Sequence, residues 1–144
     1  MKGLADTGFI VAFKNRDDQH HRWALQLARE IVDPLLTCES VLSEAAFHLA
    51  SAESVLALVR DGMLRVAFDS ADELPALLDL ARRYRDRQPD LADLCLIRMS
   101  EIYPNHPVIT VDEADFRVFR RNRREFIPII CPSKGRAPSL RTRR

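Results

Sequence analysis

"PVITVDEADF", residues 107–116, runs β-branched residues into an acidic turn and then into a helix-forming segment. Val108, Ile109 and Val111 favour a buried strand ending at Asp112, and "EADFRVFRR" follows as a short helix over 113–121. The same grammar recurs along the chain. Leu4 and Ala5 lead into Asp6 and then "TGFIVAF", a strand, a turn and a first helical turn. "LLT" at 35–37 is a brief buried strand, and "ESVLSEAAFHLA" turns helical directly after it. "MLRVAF" at 63–68 alternates as a strand does, behind a helix over 53–62 closed by Asp61-Gly62. Further helices are expected over 17–32, over 70–87 with Ser70 as N-cap, and over 90–103 ahead of Pro104. "FIPII" at 126–130 closes the series as a strand that its proline confines to an edge. Strands alternating with helices imply an α/β fold: a three-layer α/β/α domain with a mostly parallel central sheet over 1–132, and a basic, flexible tail over 133–144.

A chain of 144 residues suits one domain with a real core. Its 47% hydrophobic and 30% charged residues are those of a soluble protein, and no apolar run nears the roughly 18 residues of a membrane span. "GFIVAF" is shorter than a signal-peptide core of about 7 to 15 residues, so export is not expected. Cys38, Cys95 and Cys131 are odd in number and widely spaced, which argues against a disulfide framework or a CxxC metal site and for a reducing cytoplasm. Charge is divided unevenly. Residues 1–116 carry 12 Lys and Arg against 20 Asp and Glu, whereas residues 117–144 carry 10 against one. Basic clusters such as "RVFRRNRR" attract phosphate backbones, although a solvated surface has the same composition.

Open parallel α/β sheets place their sites at the carboxyl ends of the strands. Asp6 follows the first strand, Glu44 lies in the first two turns of the helix after "LLT", Asp93 lies in the first turn of the helix at 90, and Asp112 follows "VITV". Any one of these acids is explained by the preference of carboxylates for helix N-termini. Asp90 fits that explanation best, as an N-cap with Asp93 at the third helical position. Asp93 fits it less well, because Leu94, Leu96 and Ile97 begin the apolar face beside it. Four acids on one rim repel one another and call for protons or a cation. Oxygen-only donors favour Mg²⁺ or Mn²⁺, and a hydrated divalent ion beside an anionic substrate suits phosphodiester hydrolysis.

"LADTGFIVAF", "VLSEAAFHLA", "PDLADLCLIRMSE" and "VITVDEADF" together resemble the PIN-domain family, particularly the toxin nucleases of VapBC-type toxin–antitoxin modules, over residues 2–132. The resemblance implies a metal-dependent endoribonuclease, the toxin of a pair, silenced by a cognate antitoxin and commonly dimeric. Carried over position by position, it implies Asp6, Glu44, Asp93 and Asp112 as metal-binding and catalytic acids, with Asp115 as an alternative ligand. Thr7 and Thr110 match hydroxyl residues that orient the pocket, and Asp90 remains a cap or supporting group. Gly8 departs from the family, in which Ser or Asn is more usual beside that threonine. Arg117, Arg120, Arg121, Arg123 and Arg124 follow the last acids directly and make a candidate RNA track.

His20 and His21 are adjacent, about 100° apart on a helix, and make a poor metal pair. His48 shares a helical face with Glu44, where packing or an outer contact to the site is expected. Trp23, Phe47, Leu56, Leu58, Tyr84 and Phe119 are expected in the core or at an interface. Two rival readings are a catalytically inactive PIN-like module that binds RNA or protein, and a phospho-acceptor switch built from Asp6, Asp112 and Lys134. The second lacks an adjacent acid pair after the first strand and leaves Glu44 and Asp93 unexplained.

Overall fold

A computed structural model of the protein describes residues 1–133. Five short strands form its central sheet: β1 (Leu4–Ala5), β2 (Leu35–Thr37), β3 (Leu64–Val66), β4 (Val108–Ile109) and a last strand, Ile129–Ile130, here β7. They lie in the order β3-β2-β1-β4-β7, and every neighbouring pair is parallel. Leu4 registers with Leu36 on one side and Val108 on the other, so the first strand is the middle of the sheet. Its neighbours are buried apolar residues, Leu35, Leu36, Val108 and Ile109, as two-sided burial requires. Helices α1 (Thr7–Lys14), α2 (His21–Ala28), α3 (Glu39–Leu49), α4 (Ala52–Arg60), α5 (Leu74–Arg83), α6 (Leu91–Ile102) and α7 (Glu113–Val118) flank it, completing the α/β architecture.

Helix α6 is the most enclosed helix. Ala92, Leu94, Cys95, Leu96, Ile97, Met99 and Ser100 are all buried, apolar nearly all round, as suits a helix at the centre of a domain. The order of strand addition reverses at β1: β1 leads outward to β2 and β3 on one side, whereas β4 is reached by a crossover back to the other side of β1, parallel to it. The carboxyl ends of β1 and β4 therefore flank a topological switch point, the place where open α/β sheets form a crevice.

Several boundaries differ from expectation for local reasons. Asp17 and His20 amides are taken by the Asn15 and Asp18 side chains, so α2 starts only at His21. Residues 70–73 form a turn held by the Asp69 carboxylate and backbone, and α5 starts at Leu74 with Pro75 in its first turn, where no amide is needed. The last helix stops at Val118. Arg120–Arg121 (β5) instead pairs antiparallel with Glu125–Phe126 (β6) about a turn in which Asn122 and Arg123 have positive φ. Only Ile129–Ile130 of "FIPII" joins the sheet, at its outer edge beyond β4, with Pro128 just ahead of it.

Leu58 and Phe119 are core residues, Phe119 packing edge-on against Phe116 and Tyr84. Trp23 meets Phe9 edge-on. Phe47 and Leu56, by contrast, point to solvent at 81% and 61% exposure, because each lies on the outer face of its helix. The tail expected from 133 onward lies, from residue 134, outside the described residues, as does Lys134.

Candidate active site

At the switch point a cavity of about 530 Å³ opens over the carboxyl ends of β1 and β4. Asp6, Glu44, Asp93, Asp112 and Asp115 all line it, together with Thr7, Asp90 and His48. Five segments supply these carboxylates: the ends of β1 and β4, the body of α3, and the first turns of α6 and α7.

Asp6 forms the floor and is only 7% exposed. It is the N-cap of α1: the Thr7 amide donates to Oδ1 at 2.7 Å, and the Thr110 hydroxyl donates to Oδ2 at 2.6 Å. Thr110 Oγ1 in turn accepts from the Asp112 amide at 2.8 Å, tying the β1 and β4 exits together. The Thr7 hydroxyl donates to Glu44 Oε1 at 2.7 Å and so links α1 to α3. Asp90 caps α6 by accepting from the Asp93 amide at 2.8 Å. Asp112 caps α7 more loosely, accepting from the Asp115 amide at 3.4 Å. Capping and site geometry are thus served by the same atoms.

Electrostatics set these acids apart from ordinary caps. Burial, opposed by the Thr110 and Thr7 hydrogen bonds, pushes the Asp6 carboxyl up to about 6. Burial and then the charges of Asp90, Asp6, Asp112 and Asp115 push Asp93 up to about 8. Glu44 is raised by burial and by the side chain of Asp90 within hydrogen-bond reach, and Asp112 is raised by burial and by Asp115 in the same way. Two carboxyl groups within hydrogen-bond reach need a proton or a cation between them. Among the described residues, no three His, Cys, Asp or Glu side chains are drawn together tightly enough to close a coordination sphere. Partial protein ligation with hydration filling the rest is the habit of small hard cations, and a carboxylate donor set of this kind fits a hard divalent cation.

A family model of the PIN domain matches residues 4–122. The chain belongs to the PIN domain family. No curated protein matches it. Among solved structures the PIN domain described here is similar to VapC20 of Mycobacterium tuberculosis, a toxin that cleaves the sarcin–ricin loop. The TM-score is 0.63 at 19% identity, covering 75% of this chain and 87% of that one. At that identity the likeness is one of fold, while family membership supports nuclease chemistry.

The five arginines expected to form an RNA track do not line the PIN pocket. Arg121 is the clear correction: it is 6% exposed, and its guanidinium donates to the Ser100 and Pro104 carbonyls and to Glu125, which leaves no face for a phosphate. Arg120 lies 4.0 Å over the Phe126 ring and donates to the carbonyls of residues 117–119. Arg117 is paired with Glu113 at 2.6 Å. Arg123 and Arg124 are exposed, and Arg123 approaches Asp79 at 3.8 Å. Sequence reading missed Asp18 and Arg87, which do line the pocket. Asp18 belongs to a loop rather than to a strand end, and Arg87 stands three residues ahead of Asp90 in a segment that reads as the end of a helix. The His21 Nδ1–H donates to the Ala12 carbonyl at 2.7 Å, and His20 packs edge-on against Trp23.

Proposed function

We propose that the protein is a divalent-metal-dependent endoribonuclease that hydrolyses RNA phosphodiester bonds in the cytoplasm as the toxin of a toxin–antitoxin pair. The observation that carries this reading is the convergence of Asp6, Glu44, Asp93 and Asp112 from four separate segments on one cavity, with carboxyls raised above their ordinary range. These four residues would hold Mg²⁺ or Mn²⁺, with Asp115 as an alternative oxygen donor. The bound ion would supply charge neutralisation, polarisation of the phosphodiester and a water of lowered pKa.

The chain's own part is orientation. Thr110 and the Thr7 amide hold both oxygens of Asp6, so that carboxylate is fixed before any substrate arrives. The Thr7 hydroxyl does the same for Glu44, and the helix dipoles at the starts of α1 and α6 favour the ionised forms of Asp6 and Asp93 against their burial. No serine, cysteine or histidine nucleophile is needed. A fold shared with a toxin supports, for this chain, an antitoxin partner; that the antitoxin covers the acidic site and that the toxin pairs with a second copy are part of the same proposal.

Cleavage of RNA by the purified protein tests the reading, assayed with Mg²⁺ or Mn²⁺, with EDTA, and with Asp93→Asn. Cleavage with metal, none with EDTA, and a loss of roughly two orders of magnitude in the variant are expected. Equal rates in all three overturn the metal-nuclease mechanism. Failure to cut any RNA, with binding retained, leaves the inactive binding module. The antitoxin is checked by whether a short DNA-binding protein is encoded beside this chain and co-purifies with it.

A further inference from the structure

An acidic pocket repels the backbone it is meant to cut, so beside the bound ion a cation from the protein favours a phosphate coming to rest there. Among the described residues, the one guanidinium or ammonium group lining the cavity belongs to Arg87. It is carried on a 3₁₀ turn, Arg85–Arg87, between α5 and α6. Gln88 follows in the left-handed region, at φ 50° and ψ 56°, and Pro89 then leads to the Asp90 cap. Here the main chain is bent sharply at a non-glycine residue, directly after Arg87, which lines the cavity.

Arg87 Nη2 reaches across to Asp115 Oδ1 at 3.2 Å. Its side chain is 43% exposed and Asp115's is 40%, a solvent-screened pair of the kind that adds little to folding. That contact uses one N–H of a fork built to grip two oxygens at once. A phosphate offers the fork two oxygens and a full charge, a stronger partner than a half-solvated carboxylate.

We propose that Arg87 is the phosphate-binding residue of the pocket, parting from Asp115 to clasp the RNA phosphate presented to the acids. This rests on the nuclease reading. The basic groups expected from the sequence, residues 117–124, do not line the cavity, and the cation that addresses the reacting phosphate comes from the turn between α5 and α6.

The test uses the full chain and a fluorescent single-stranded RNA. Arg87→Gln and Arg87→Lys are compared with Arg85→Gln, a change on the same turn at a residue that does not line the cavity. Binding is measured across a salt series with Mg²⁺ in the Asp93→Asn background, and kcat/KM is measured in the otherwise unchanged protein. Arg87→Gln is expected to reduce the slope of log affinity on log salt by about 1 and to lower kcat/KM about 10- to 100-fold. Arg87→Lys should keep the slope and recover only part of kcat/KM, because an ammonium cannot make the paired contact. A wild-type slope and rate in Arg87→Gln overturn the proposal, as does an Arg85→Gln chain that loses as much. Should Arg87→Gln fail to fold, Arg87→Lys decides, wild-type kcat/KM counting against. If the unaltered chain binds RNA without cutting it, the nuclease reading falls while the salt slopes still decide Arg87. If it binds no RNA, both fall.

Discussion

Single carboxylates in this pocket act against the fold that holds them. Asp6 is held up to about 6 and Asp93 up to about 8, both above the 3.8 of an ordinary aspartate. Between those limits the folded chain keeps protons that the unfolded chain has released. The contribution of these two carboxyls to stability is therefore fully present below pH 4 and is lost as pH rises through 6 for Asp6 and through 8 for Asp93. In EDTA, the melting temperature should fall from pH 5 to pH 8. Asp93→Asn should flatten that fall and raise melting at pH 8 by about 3 °C, while lowering cleavage by roughly two orders of magnitude; a variant that melts lower at pH 8 contradicts this. Arg121 predicts the reverse kind of change. Its guanidinium is buried on the Ser100 and Pro104 carbonyls and on Glu125, so Arg121→Ala should destabilise the chain by about 2–4 kcal/mol in urea titrations, far more than Arg124→Ala on the surface. The acids were legible in the sequence because each follows a recognisable strand or lies within the first two turns of a helix. Nothing in "RVFRRNRR" says which arginine turns inward, since that depends on carbonyls some twenty residues away.

At the scale of elements, the exits of β1 and β4 are fitted to each other. A Cβ on Gly8 would land on Val111 Cγ2, which accounts for glycine at the position where a hydroxyl or amide residue is expected from the family. Gly8→Ala should cost about 1–3 kcal/mol by denaturant titration, and Val111→Ala in the same chain should return part of it. Strictly additive losses would show that the two sites do not touch. The strands at 4–5, 35–37, 64–66 and 108–109 were readable from β-branched or apolar runs ending in an acid or a turn, and α6 from its near-continuous apolar residues. Starts and stops were less so. Ser70 looks like a cap, yet Asp69 takes the local amide and Pro75 fixes the start of α5, a competition among neighbours that residue preferences do not rank. Arg120 and Arg121 read as the end of a helix because their charges suit one. Pairing with Glu125 and Phe126 drew them into a hairpin instead.

For the whole molecule, the order β3-β2-β1-β4-β7 puts the earliest strand in the middle and makes it wait for the latest ones. Leu4 and Asp6 amides bond to the carbonyls of Pro107 and Ile109, and Asp6 takes its second side-chain hydrogen bond from Thr110. A chain ended at residue 106 should thus lack cooperative melting and fast-fold none of β1, as hydrogen exchange at residues 4–6 would reveal; protected amides there would refute it. Non-local pairing of this kind also sets a clock. At about 5–20 residues per second, synthesis from Asp6 to Thr110 takes on the order of 5–20 seconds, during which the emerging chain carries acids with no floor to hold them. On the proposed nuclease reading, the message being translated is the RNA nearest at hand throughout that interval, and the last-made strands are what complete the pocket.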